Sequence, residues 1–181
     1  MAKFSILIDG KETTYMTKNV FEIELVEGIS RGIVRSKSGL SSIIIDWINV
    51  HDGHFGILYV LAVPGTGIKP GRYQVSNPCN KSEVIHFIKK YKDYFENDAR
   101  HSIWFINLET RDQIIYDKHE LLYIYGNLDK VKILLEKKGF KESRISIPEP
   151  HVHSYNPKYD IFEDKIMNYW DWKWLPLEKD D

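Results

Sequence analysis

The chain has 181 residues, of which 24 are aromatic (8 Phe, 5 Trp, 11 Tyr), one is cysteine, and 25 basic stand against 26 acidic for a net charge of −1. A hydrophobic share of 43% with few Pro and Gly excludes a disordered or low-complexity chain. The near-neutral balance lacks the basic excess of phosphate-binding surfaces, so no nucleic-acid partner is expected. Cys79 alone makes neither an intramolecular disulfide nor a multi-thiolate metal site, and the length suits a single domain over residues 1–181.

In chain order, the apolar run Phe4 to Ile8 meets the turn dipeptide Asp9-Gly10 and reads as a hairpin rather than an export signal. No stretch approaches the roughly 18 apolar residues of a membrane span. No membrane partner and a cytoplasmic location are therefore expected. Residues 19 to 33 fit two patterns. Phe21, Leu25 and Ile29 make a helical stripe, whereas Phe21, Ile23 and Leu25 alternate with Glu22 and Glu24 as in a strand; Asn19 as cap and Gly32 as stop favour the helix.

Leu40 to Val50 is expected as a strand, turned by Asp52-Gly53 onto a second strand, Ile57 to Val63. Pro64-Gly65-Thr66-Gly67 is a loop without the spacing of a phosphate-binding motif, and Arg72 to Val75 is a third strand. Asn80 then caps a helix whose apolar stripe is Val84, Phe87, Ile88, Tyr91 and Phe95. The order recurs: Ser102 to Leu108, Gln113 to Asp117 and Leu121 to Tyr125 are β-rich, and Asn127 opens a helix that stops at Gly139. The expected fold is α+β, an antiparallel sheet built from two strand-strand-strand-helix units (40–95 and 101–139) with the helices on one face.

Residues 148–181 differ in composition, holding 7 of the 24 aromatics and four of the seven prolines. Pro148 and Pro150 keep this tail extended, and a short helix follows with Asp160 as N-cap and Glu163 as its reciprocal partner. Trp170, Trp172 and Trp174 alternate, which places three indoles on one side of an extended chain, where they either latch onto the core or present a partner surface; burial is favoured.

Chemistry concentrates in the same tail. His151 and His153 share one side of an extended segment and can reach a single divalent metal ion, with Asp160 or Glu163 as third ligand or general base. His51 and His54 are explained by their hairpin turn, His119 by a polar turn between strands, and His86 lies beside an apolar stripe. Cys79 precedes a helix start, where a thiolate is favoured, but no partner base is legible and no Gly-x-Ser-x-Gly elbow exists. No catalytic residue is assigned.

The order Tyr125-Gly126-Asn127-Leu128-Asp129, Gly139-Phe140, Pro150-His151-Val152-His153-Ser154-Tyr155 with Asp160, and Asp171-Trp172-Lys173-Trp174-Leu175-Pro176-Leu177 resembles a group of uncharacterised bacterial proteins. That resemblance covers about a third of the chain and implies a bacterial cytoplasmic protein, with no activity attached. The leading expectation is an interaction protein without cofactor, of immunity type, binding a toxin partner through His151, His153, Tyr155, Asp160, Trp170, Trp172 and Trp174. The alternatives are a small metal-dependent enzyme centred on His151 and His153, with aromatics walling its pocket, and a small-molecule sensor.

Overall fold

The computed structural model describes residues 3–15 and 17–179. Strands β1 (Phe4–Ile8) and β2 (Lys11–Thr14) close over Asp9 and Gly10, whose φ angles of 50° and 74° suit a two-residue hairpin turn. The segment expected as a helix is a second hairpin, β3 (Val20–Val26) and β4 (Ile29–Arg35), turning at Glu27-Gly28 with φ 51° and 83°. The two-residue alternation wins because Phe21 and Val34, paired in register, bury on one face while Glu22 and Glu24 stay on the other. Asn19 caps no helix; its Oδ1 accepts from Lys37 N at 3.0 Å and holds the end of the hairpin.

The opposite correction applies to α1 (Ser41–Val50), expected as a strand. Ile43, Ile44, Trp47 and Ile48 are all buried, at helical spacing, against the sheet. Burial of that stripe outweighs the strand preference of a β-branched run. The two chain halves are therefore unlike. The first runs α1, β5 (His54–Leu61), β6 (Gly71–Val75), β7 (Cys79–Asn80), α2 (Lys81–Lys90) and α3 (Lys92–Asn97). The second runs β8 (His101–Asn107), β9 (Gln113–Tyr116), β10 (Leu122–Tyr125) and α4 (Leu128–Lys137), as expected. Asn80 and Glu83 form a reciprocal cap on α2, Asn127 Oδ1 accepts from Lys130 N at the start of α4, and Gly139 (φ 78°) follows its end.

The tail adds β11 (Lys141–Glu142), β12 (His151–His153), a 3-10 turn (Pro157–Tyr159), α5 (Asp160–Met167) and β13 (Trp172–Leu175). The large sheet runs β11-β3-β4-β10-β9-β8-β5-β6-β13, with β7 also on β5; every pair is antiparallel except β11 with β3. A small sheet, β12-β1-β2, stands apart. The protein is thus α+β with antiparallel-dominated sheets, and no helix among the described residues is long and apolar enough to cross a membrane.

One face of the large sheet carries Phe55, Ile57, Tyr59, Leu61, Ile103, Phe105, Ile114, Leu122 and Ile124, which pack with α1, α2 and α4 into one core. The alternate residues face away from the helices. By strand register, Leu58, Trp104, Ile115, Tyr123 and Ile33 lie in a single row across five strands. Ile33 and Ile115 in this row are buried and Leu58, Trp104 and Tyr123 half-buried, so the face is more apolar than a solvent-facing antiparallel surface ordinarily is.

Asp160 and Glu163 do not cap α5, whose N-cap is Tyr159 with no side-chain hydrogen bond. Both carboxylates instead accept from Arg100 Nη1, at 2.7 and 2.6 Å, while Asp98 Oδ1 accepts from Arg100 Nε at 2.8 Å. Arg100, Asp98 and Glu163 are at most 2% exposed. A buried guanidinium needs such partners, and it draws the acids away from any capping role. The Pro64–Gly67 loop completes the cluster, Gly65 N, Thr66 N and Thr66 Oγ1 donating to Glu163 at 2.9–3.1 Å.

Candidate metal centre

His151 and His153 lie on β12, held by pairing with Ile6 and Phe4 of β1. Their i, i+2 spacing puts both rings on one side, as the sequence reading requires, and the rings stack with centroids 5.1 Å apart. The third member is His119, in the turn between β9 and β10, whose ring meets those of His151 at 5.4 Å and His153 at 4.8 Å. One ligating atom from each of the three lies within 4.8 Å of the others. Phe4, 1% exposed, packs against all three rings and forms an apolar floor.

Hydrogen bonds set which nitrogen each ring can offer. Asp117 Oδ2 lies 2.7 Å from His119 Nδ1, and the carbonyl of Pro148 lies 3.0 Å from His151 Nδ1. Carboxylate and carbonyl oxygens only accept, so in both rings Nδ1 is the donor and Nε2 is the nitrogen left for another partner. This is the outer-shell arrangement that orients metal-binding imidazoles. His153 has no hydrogen-bond partner among the described residues. Burial first, then the neighbouring His119, His151 and Lys118, lower its pKa to about 4, so at neutral pH it is already in the unprotonated form a metal requires.

Three imidazoles make a donor set of zinc class, three in number where a purely structural site uses four ligands. A tetrahedral zinc site with Zn–N bonds of about 2.0–2.1 Å would need donor atoms about 3.4 Å apart, and these lie within 4.8 Å of one another. Among the described residues no carboxylate completes the set. Asp160 and Glu163, expected as the third ligand, are spent on Arg100 at the other side of the tail, and Glu149 approaches only the Nδ1 edge of His151, at 3.2 Å.

His119 also lines a cavity of about 410 Å³ on the open sheet face, together with Trp104, Ile115, Tyr123, Arg31 and Lys118. Trp104 is shared with a second cavity of about 320 Å³ that continues towards Arg72, Gln74 and Arg111. The two cavities lie on either side of the indole, and of the three histidines His119 alone lines the first. Arg31 is fixed at its wall, its guanidinium 4.9 Å from the Tyr123 ring centroid and its Nε donating to Glu24 at 2.7 Å.

The remaining expected site residues are placed elsewhere. Tyr155 is 46% exposed, without a ring contact among the described residues. Trp170 packs on Phe87 at 4.3 Å and on Trp172 at 5.6 Å, and Trp172 Nε1 donates to the Ile166 carbonyl. Trp174, 38% exposed, sits under Lys69 at the sheet edge. The tail tryptophans thus divide into two that latch onto the helical face and one at the rim. Cys79 is buried, and burial followed by Glu83 pushes its thiol up to about 11, the reverse of an activated thiolate. His51 lies between the Trp47 carbonyl and Asp112, not in a hairpin turn, and His86 is exposed.

Sequence reading places His119 in a polar turn, as a lesser acid–base candidate and not as a partner of His151 and His153. The signal that marks it is Asp117-x-His119: Asp117 Oδ1 accepts from the amides of His119 and Leu121, which leaves Oδ2 to orient the ring. The two cavities are foreshadowed by the run Ile103-Trp104-Phe105-Ile106, apolar on both faces of its strand. No family model, curated protein or solved structure matches this chain.

Proposed function

We propose that His119, His151 and His153 bind one divalent transition-metal ion and that the protein is a metal-dependent enzyme whose substrate lies along the open sheet face. The observation that carries this reading is the convergence of three imidazoles, two of them held through Nδ1 and one of these, His119, also lining an aromatic cavity. Bound there with a vacant position, a zinc-class ion supplies Lewis-acid polarisation and activates water, the chemistry of hydrolases and lyases. The chain's own part is to hold the three rings, to exclude water from below with Phe4, and to align substrate over Trp104 and Tyr123.

The test is elemental analysis of protein purified without a metal-affinity tag. One equivalent of zinc, iron or manganese is expected, falling to background in His153→Ala and His119→Ala. Metal well below one equivalent after incubation with each ion, or content unchanged in both variants, would sink the reading.

A second reading, an interaction protein of immunity type that binds a toxin domain, is supported by the tip of the β3–β4 hairpin. There Leu25 and Ile29 stand 71% and 60% exposed, an apolar pair that a partner surface would cover. It predicts a stoichiometric partner in a pull-down from the native host, lost when both residues are changed to Lys while metal content is kept. No partner under several conditions, or a partner retained by the double variant, counts against it.

A further inference from the structure

At the edge of the large sheet farthest from α5, the end of β4, the connection from β2 to β3 and the chain after β11 enclose a small polar cleft of about 200 Å³. Its lining contains three cations, Lys18, Arg35 and Arg144, with Ser143, Ser146 and Thr17, whose hydroxyl donates to the Ser36 carbonyl at 3.0 Å. Arg35 forms the floor and is 4% exposed, whereas Lys18 and Arg144 stand at the exposed rim.

The state of Arg35 is unusual. Its Nη1 donates to Tyr15 Oη at 3.1 Å and to the Ser146 carbonyl at 3.0 Å, and its guanidinium lies 5.0 Å from the Tyr15 ring centroid. Nη2 is buried with no hydrogen-bond partner. Among the described residues no carboxylate comes within ion-pair distance of it. A phenol, a carbonyl and a ring face do not neutralise a buried positive charge, and leaving one uncompensated costs several kcal/mol by order of magnitude. The two acids that face this region are otherwise placed: Glu22 Oε2 accepts from Ile145 N at 2.6 Å, and Glu120, beyond the end of β9, interacts with Arg35 only at longer range. The buried Arg100 has three carboxylates around it, so the same fold elsewhere compensates a guanidinium fully.

We infer that this cleft is a binding site for a compact oxyanion of the phosphate type, either free or as the phosphoryl group of a monoester. Arg35 supplies the fixed charge at the floor. Lys18 and Arg144 close from the rim, and the hydroxyls of Ser143 and Ser146 donate to the remaining oxygens. The volume suits one tetrahedral anion with its substituent directed to solvent. The site is separate from the three histidines, sharing no lining residue with their cavity.

Isothermal titration of chelator-treated protein with inorganic phosphate tests this at low ionic strength. Saturable 1:1 binding is expected, with sulfate competing and acetate at least about 10-fold weaker. Binding weakens about 10-fold or more in the double variant Lys18→Ala/Arg144→Ala, whose side chains are exposed and leave the fold intact, and it is lost in Arg35→Met. Methyl phosphate titrated in parallel separates the sources: tighter binding than inorganic phosphate identifies a monoester, and weaker binding a free anion. His153→Ala must bind phosphate as the parent does. No saturable heat up to about 10 mM phosphate, an unchanged affinity in the Lys18/Arg144 variant, or loss of binding in His153→Ala would each overturn the proposal. None of these outcomes depends on whether the histidines hold a metal.

Discussion

Asp117 Oδ2 and His119 Nδ1 lie 2.7 Å apart, in a turn where the same carboxylate's Oδ1 already holds the amides of His119 and Leu121. One acid therefore shapes the turn and chooses the tautomer of the ring. Asp117→Asn keeps an acceptor for the amides but weakens or reverses the contact to Nδ1. Metal affinity, measured by competition with a chromophoric chelator, is expected to fall about 10–100-fold while the circular dichroism spectrum is unchanged. An affinity equal to the parent's would show that the ring is oriented by packing alone.

The Arg100 cluster ties α5 to the sheet. Removing one partner of a buried pair strands the other, so Glu163→Ala is expected to cost about 3–5 kcal/mol in urea unfolding. Replacing Gly65 by Ala should also destabilise, because a Cβ there would collide with Arg100 Nη1 and the Asp160 carboxylate. A loss under about 1 kcal/mol for Glu163→Ala would mean that solvent reaches Arg100.

Acid should weaken the fold through His101. This ring is 1% exposed, stacked among Tyr59, Tyr94 and Phe95, with neither nitrogen hydrogen-bonded. Burial, then Lys3 and Arg100, hold its pKa well below the usual histidine value. The unfolded chain consequently takes up a proton that the folded one refuses. The stability this group contributes is complete above about pH 6.5 and is lost as pH falls below that value. His101→Phe, in unfolding titrations between pH 7 and pH 5, should flatten this part of the acid limb; an unchanged slope would place the acid sensitivity elsewhere.

Two tryptophans of the tail should respond unequally. Trp172 donates to the Ile166 carbonyl and packs near Trp170 and Tyr59, whereas Trp174 contacts the Pro70 carbonyl and Lys69 at the exposed rim. Trp172→Ala is expected to cost about 2–4 kcal/mol and Trp174→Ala about 1 kcal/mol, compared by thermal or urea unfolding. Equal losses would remove the distinction between latch and rim.

Trp104 offers a check on the two cavities. Trp104→Ala deletes the indole common to both cavities. Metal content and fold should be kept, with any substrate-dependent quenching of tryptophan fluorescence abolished. Loss of metal in this variant would show that the indole supports the histidines and does not serve a ligand.

Some of this protein is written locally. The Asp9-Gly10 turn, the Asn80 and Asn127 caps, the stop at Gly139 and the strands β8 to β10 follow from residues a few positions apart, because turn chemistry, capping and two-residue alternation are short-range effects. The shared orientation of His151 and His153 is of the same kind, since an extended backbone alone puts i and i+2 on one side. Where two periodicities fitted one segment, the local signal could not choose. Burial against the sheet made α1 a helix, and cross-strand pairing made β3 and β4 a hairpin.

Only the tertiary structure decided the third histidine. Asp160 and Glu163 were the acids expected to join the pair, but the buried charge of Arg100 claimed both, and strand pairing between β1 and β12 carried His151 and His153 to a turn far upstream, where His119 waits on Asp117. Sequence supplies ligands of the right type and local geometry. Their convergence depends on long-range pairing and on which buried charge needs which partner, and both are properties of the packed chain.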